Sequence, residues 1–139
     1  MKAMVIEEFG SPSELKQVEI DKPMVQPHHV LIEVKATSVN PVDCRIRRGQ
    51  ALAMTSEFPA ILQGDVAGIV AEVGEGVTKF KVGDEVYGLA GGTKGTAGGA
   101  LADFMLADVD FLAFKPRNLS MKAAAALPLV SLTAWQALV

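Results

Sequence analysis

The chain has 139 residues, half of them apolar and 21% charged, with a net charge of −3. That length suits one domain with its own core, and the composition excludes a disordered tail. The mild acidity argues against nucleic acid or an anionic membrane as the main partner, and the single cysteine, Cys44, rules out an internal disulfide or an all-cysteine zinc site.

The opening MKAMVIEEFG has no long apolar stretch and reads as a strand beginning at Met4-Val5-Ile6, not as a signal peptide. A reducing, cytoplasmic setting is the default expectation. Gly10-Ser11-Pro12-Ser13 breaks the chain, and Pro23 and Pro27 bracket a segment unsuited to a central strand. Residues 30–39 are rich in β-branched side chains, with Val30, Ile32, Val34 and Ala36 on one face and Glu33, Lys35 and Thr37 on the other. A two-turn helix follows. Asn40 is a suitable N-cap, Pro41 takes the first helical position, and Asp43 falls where the helix dipole favours negative charge. Arg45, Arg47 and Arg48 lie toward the other end, and Gly49 is a natural left-handed stop.

Residues 66–73 are apolar on both faces until Glu72, which predicts a strand buried on both sides. Gly74-Glu75-Gly76 and Val82-Gly83-Asp84 are turns, residues 85–90 a strand, and residues 91–99 a loop too glycine-rich to hold one shape by itself. Residues 101–106 and 111–114 are further strand candidates. Ser120 caps a predicted helix over 121–127, and Pro128 opens the next. After Lys122 no charged residue appears, which is the pattern of a helix buried on most sides, and a domain that ended here would leave that surface exposed. It is too short, and too interrupted by Pro128 and Gln136, for a membrane span. The expectation is a chain that stops inside a larger protein; the alternative is a helix that folds back on its own domain. The predicted fold class is mainly β (α+β), a barrel or sandwich with short helices at the C-terminal end.

Few motifs carry chemistry. Gly74-Glu75-Gly76-Val77-Thr78-Lys79 nearly spells a dinucleotide fingerprint, but Lys79 replaces the third glycine and no crossover helix fits before Val82-Gly83. In the 91–99 loop Lys94 precedes Gly95, not Ser or Thr, so it is not a phosphate cradle; a loop that covers a cleft is the better reading. His28 and His29 are adjacent, point opposite ways on an extended segment, and make poor joint metal ligands. Asn40 either caps its helix or offers its amide to a ligand over the helix N-terminus. Asp65 opens a buried strand and needs a partner, for which the arginines after Asn40 are the candidates.

One ordered set of segments goes further. Gly10-Ser11-Pro12, Val39-Asn40-Pro41-Val42-Asp43, Gly64-Asp65-Val66-Ala67-Gly68, Val82-Gly83-Asp84-Glu85-Val86-Tyr87-Gly88, Ala124-Ala125-Ala126-Leu127-Pro128 and Thr133-Ala134-Trp135 run in order along nearly the whole chain. Together they resemble the N-terminal part of the medium-chain dehydrogenase/reductase superfamily, on its zinc-free quinone oxidoreductase side.

The resemblance implies a GroES-like, partly open β-barrel over residues 1–126 as the substrate domain. It implies that residues 127–139 start the helix leading to a Rossmann domain, absent from this chain, that binds NADPH. Asn40, the backbone of Pro41 and Val42, and Thr133 are implied to line the nicotinamide end. Zinc alcohol dehydrogenases keep a Cys ligand at the place of Asn40 and a His ligand at the place of Gly64, and no four-cysteine lobe is present here; the resemblance therefore implies no zinc. The implied reaction passes a hydride to a quinone or an activated alkene or carbonyl compound, in a protein that is a dimer when full length. No residue is assigned as catalytic. Where some relatives place a tyrosine, Arg45 and Ala51-Leu52 stand here, and the only tyrosine is Tyr87. This length alone is expected to be inactive. The alternatives are a non-enzymatic GroES-like interaction module, with 91–99 as its partner loop, and a zinc-type alcohol dehydrogenase that has lost its ligands.

Overall fold

A computed structural model describes residues 1–139 in full. Its strands are β1 (Lys2–Ile6), β2 (Lys16–Glu19), β3 (His29–Thr37), β4 (Ala60–Ile61), β5 (Asp65–Val73), β6 (Glu85–Leu89), β7 (Phe104–Asp108) and β8 (Leu112–Phe114). Its helices are α1 (Pro41–Arg47), α2 (Met121–Ala125) and α3 (Pro128–Leu138). A three-stranded sheet runs β2-β1-β4 and a five-stranded sheet runs β7-β3-β5-β6-β8. Every pairing is antiparallel. The sheets meet where Met4 N–H donates to Leu101 O (2.8 Å) and Asp103 N–H donates to Lys2 O (2.9 Å). They do not close into a complete barrel. This is the mainly β, partly open architecture expected from the sequence, with α2 and α3 at the C-terminal end.

The predicted two-sided burial of the 66–73 strand is what organises the core. Val66 and Val70 of β5 pack with Val30, Ile32, Val86 and Met105 in the main apolar cluster. Each such burial contributes about 1.5–3 kcal/mol relative to exposure. On the opposite face, Ala67 packs on Ala124 and Ala125, which seats α2 against β5. A smaller cluster of Ile6, Ile46, Ala60 and Leu62 holds α1 to the three-stranded sheet. The two clusters together fix where the start of α1 stands relative to the start of β5.

Several details differ from the sequence reading. β2 is exposed along its length except for half-buried Val18, and β4 has two residues, so neither carries an apolar alternation that could announce it. The strand expected over 101–106 begins at Phe104, because residues 101–103 serve the junction between the sheets. In α3 only Pro128 is buried, while Val130, Leu132, Trp135 and Leu138 are exposed, so the helix does not fold back over its own domain, which was the alternative reading. Its first turn alone docks onto the sheet. No helix is long and apolar enough to cross a membrane.

Candidate functional site

The site forms where β3 ends, α1 begins, β5 begins and α3 begins. α1 starts with a capping box: Asn40 N–H donates to Asp43 Oδ2 (2.8 Å), and Pro41 sits at the first helical position. At the far end Arg47 is buried and its Nη1 donates to Gly10 O (2.5 Å). The cap fixes Asn40, and its amide Nδ2 donates to Asp65 Oδ2 (2.9 Å) and Ser38 Oγ (3.2 Å).

Asp65 is the hub. Its side chain has no exposure to solvent. Oδ2 also accepts from Ser38 Oγ (2.5 Å), Oδ1 accepts from the Leu129 N–H (2.9 Å), and its backbone oxygen accepts from Thr37 Oγ1 (2.6 Å). The expected ion pair with an arginine is therefore corrected. The reason is placement: the arginines occupy the last turn of α1, while Asp65 meets the first, so neutral donors satisfy it. Leu129 lies in the first turn of α3, where free N–H groups and the helix dipole favour a carboxylate. A buried carboxylate with this many donors needs no cation.

Beside this node lies a cavity of about 250 Å³. Val42 and Asp43 of α1, Gly64, Leu89, Phe111 and Leu129 form much of its wall. Thr93 and Thr96 bring the glycine-rich loop to the same wall. That loop is tied down by Gly92 N–H to Gly98 O (2.7 Å) and Lys94 N–H to Met54 O (2.8 Å), with the Thr96 hydroxyl donating to Thr93 O (2.6 Å). Asp43 is the only ionisable residue on the wall. Burial pushes its carboxyl above the usual carboxylate value, against the pull of the Asn40 and Gln63 N–H groups, and the neighbouring Asp65 pushes the same way as burial. An apolar groove of about 400 Å³ adjoins the cavity, with Tyr87, Leu112, Leu127 and Leu132 on its walls.

The residues singled out in the sequence are distributed unevenly. Asn40 is buried behind the cavity and Val42 lies on its wall. Pro41 is exposed at the helix start, and Thr133 is exposed on α3, one turn beyond Leu129. Asp43, Leu89, Phe111 and Leu129 were not singled out as wall residues; they come from four separated segments, and only the tertiary fold brings them together. Tyr87 sits on the adjoining groove, not the cavity.

A zinc ion needs three or four N, O or S ligands. Both Nδ2 hydrogens of Asn40 point at Ser38 and Asp65. Gly64 offers no ligand atom, and a Cβ there would stand 2.6 Å from Gly91 O and 2.7 Å from Leu89 Cδ1. The wall residues do not fit a zinc site. The one convergence of metal-type ligands lies elsewhere, on the surface: His28 Nε2 stands 3.2 Å from Asp110 Oδ2 and 3.7 Å from Asp108 Oδ1.

Residues 26–117 match the family model described as the alcohol dehydrogenase GroES-like domain. The chain is 39% identical over 144 residues to the NADPH-dependent alkenal/one oxidoreductase, chloroplastic, of Arabidopsis thaliana, covering 100% of this chain and 37% of the relative. Among solved structures it is similar to an alcohol dehydrogenase superfamily protein from Novosphingobium aromaticivorans, with 42% identity, a TM-score of 0.91, and coverage of 98% of this chain and 40% of that one. The Escherichia coli quinone oxidoreductase complexed with NADPH gives a TM-score of 0.87 at 30% identity, covering 99% of this chain and 40% of that one. The chain thus spans about two-fifths of the length of these relatives.

Proposed function

We propose, from the premise that this chain belongs to the alcohol dehydrogenase GroES-like domain family and is quinone oxidoreductase-like, that it is the catalytic domain of an NADPH-dependent oxidoreductase. Its full-length protein reduces a quinone or an activated alkene or carbonyl compound, without zinc. The observation that carries this reading is the apolar cavity between α1 and α3, whose wall bears one buried carboxyl and no zinc-type ligand set.

The cavity is of a size for one ring, and apolar walls of this kind exclude water from a reacting centre. From this chain, Asn40, the backbone of Pro41 and Val42, and Thr133 would hold the nicotinamide end. The chemistry the cofactor supplies is a hydride from its reduced nicotinamide ring. Val42 offers an apolar surface to a planar ring. Asn40 acts from behind the wall, fixing the helix start through the Asp65 node. Residues 1–126 form the substrate domain, and 127–139 start the helix toward a nucleotide-binding domain. The full-length protein is a dimer acting in the cytoplasm.

The test is NADPH consumption by the full-length protein with quinones and enones, together with metal analysis. Turnover that survives a chelator, with no stoichiometric zinc, is the expected result. Stoichiometric zinc overturns the metal-free reading, and the absence of NADPH oxidation with every quinone and enone tried overturns the oxidoreductase reading. This chain by itself is expected to show no turnover.

A further inference from the structure

The cavity beside Asp43 and the groove under α3 are two apolar spaces, and their walls share two residues, Leu89 and Phe111. Leu89 ends β6 and is partly buried. Phe111 is different: it is 57% exposed although it is a large aromatic. Its backbone has little freedom. It ends a 3-10 turn, Val109–Phe111, whose cap is the Asp108 carboxylate accepting the Asp110 N–H (2.9 Å). Val109 is buried in the main core. Phe111 O packs so tightly on β6 that a Cβ at Gly88 would lie 2.1 Å from it. A turn with a fixed backbone therefore puts one aromatic residue on the walls of both spaces.

We propose that Phe111 is the partition that sets acceptor size at this site: a one-ring acceptor stays on the Asp43 side, while a fused-ring quinone or a long-tailed enone passes beside the ring into the groove under α3. This rests on the oxidoreductase reading above and adds its specificity element. An aromatic face suits a planar conjugated acceptor, since offset or edge contacts between rings add to simple burial. The groove suits an uncharged extension, with Leu112, Leu127 and Leu132 along it, the Ser131 hydroxyl as a polar contact, and the Asp110 carboxylate on its wall disfavouring an anionic one. The cavity of about 250 Å³ alone lies below the usual range for ligand sites of roughly 300–1,000 Å³, and the groove of about 400 Å³ lies within it.

The experiment titrates this chain, and its Phe111→Ala and Phe111→Trp variants, with duroquinone (one ring) and 9,10-phenanthrenequinone (three fused rings) while amide resonances are followed. In the unsubstituted chain, duroquinone should shift Val42 and Gly64 and spare Ser131 and Leu132, and phenanthrenequinone should shift all four. Phe111→Ala should let duroquinone reach all four and raise the preference for the three-ring quinone about 10-fold, the scale of discrimination by apolar pockets. Phe111→Trp should move the preference the other way. Both substitutions are at an exposed ring, so the core is untouched. An unchanged preference in both variants, identical shift patterns for the two quinones, or no binding of either quinone overturns the proposal. The full-length protein separates the two readings. The expected binding pattern without NADPH oxidation removes the oxidoreductase reading and leaves the partition, while NADPH oxidation without the pattern removes the partition alone.

Discussion

Two clusters in this molecule each draw separated segments together around carboxylates. In the first, Asp65 gathers Ser38 and Asn40 from the β3–α1 connection and Leu129 from α3. In the second, His28 stands between Asp108 and Asp110, with side-chain exposures of 56%, 32% and 75%. Asp65 is shut off from water, so its carboxylate has no partners but these donors. The donors around His28 have water as an alternative, and salt screens the charges. The difference shows that burial, not the number of charges, decides which cluster positions the rest of the fold. The uncharged donors of the first cluster set the start of α1 against the start of α3, and the cavity lies between them.

Removing the hub is the strongest way to break this contrast. Asp65→Ala leaves the Leu129 N–H, the Asn40 amide and the Ser38 hydroxyl without their acceptor. A buried group left unpartnered costs about 1–3 kcal/mol; the Ser38 and Leu129 donors are part-buried and the Asn40 amide keeps its bond to Ser38, so a loss of roughly 2–3 kcal/mol is expected in a denaturant melt. Asp65→Asn keeps the shape and sharpens the point. One end of its side chain becomes an NH₂, which must face a donor on one side or the other. It should therefore also destabilise the fold, by less than alanine. An Asp65→Asn variant as stable as the parent would show that the node does not hold the site.

Asp43 lies between the two extremes, since it is buried but borders the cavity. Its folded-state carboxyl is raised above 3.8 by burial. The folded chain thus holds this proton to higher pH than the unfolded chain does. Stability from this group is fully present below the unfolded value and is lost as pH rises through the folded one. The stability difference between the parent and Asp43→Asn should therefore shift against the parent as pH rises from 3.8 upward, by an amount smaller than the Asp65 effect. A difference that is flat with pH, or slopes the other way, would place Asp43 among ordinary exposed carboxylates.

The contrast also explains what the sequence could show. The α1 signals are local, so Asn40, Pro41 and Asp43 announced a helix start that the fold contains. The two-sided burial of β5 was legible because its apolar run has no polar face to spare. Asp65 advertised its need for a partner by opening that run. It could not name the partner, because Leu129 lies 64 residues away and offers a backbone N–H that every non-proline residue possesses. Phe111 and Leu89 reach the cavity for reasons of packing alone, and nothing in their neighbours' identities says so. The family resemblance supplied the architecture; the cavity wall required the fold.

The smallest expected effect belongs to the exposed cluster. His28 sits at a positive φ of 63°, and its backbone is held by hydrogen bonds to Glu75 O and from Val109 N–H, whatever its side chain does. Replacing it with Ala keeps those bonds and removes only screened contacts to Asp108 and Asp110. Replacing it with Asn, which tolerates the left-handed region, controls for any backbone strain introduced by alanine. Both variants should stay within about 1 kcal/mol of the parent, and the gap should shrink in high salt. A loss from His28→Asn comparable to that from Asp65→Ala would mean that an exposed carboxylate cluster positions this fold as firmly as a buried one.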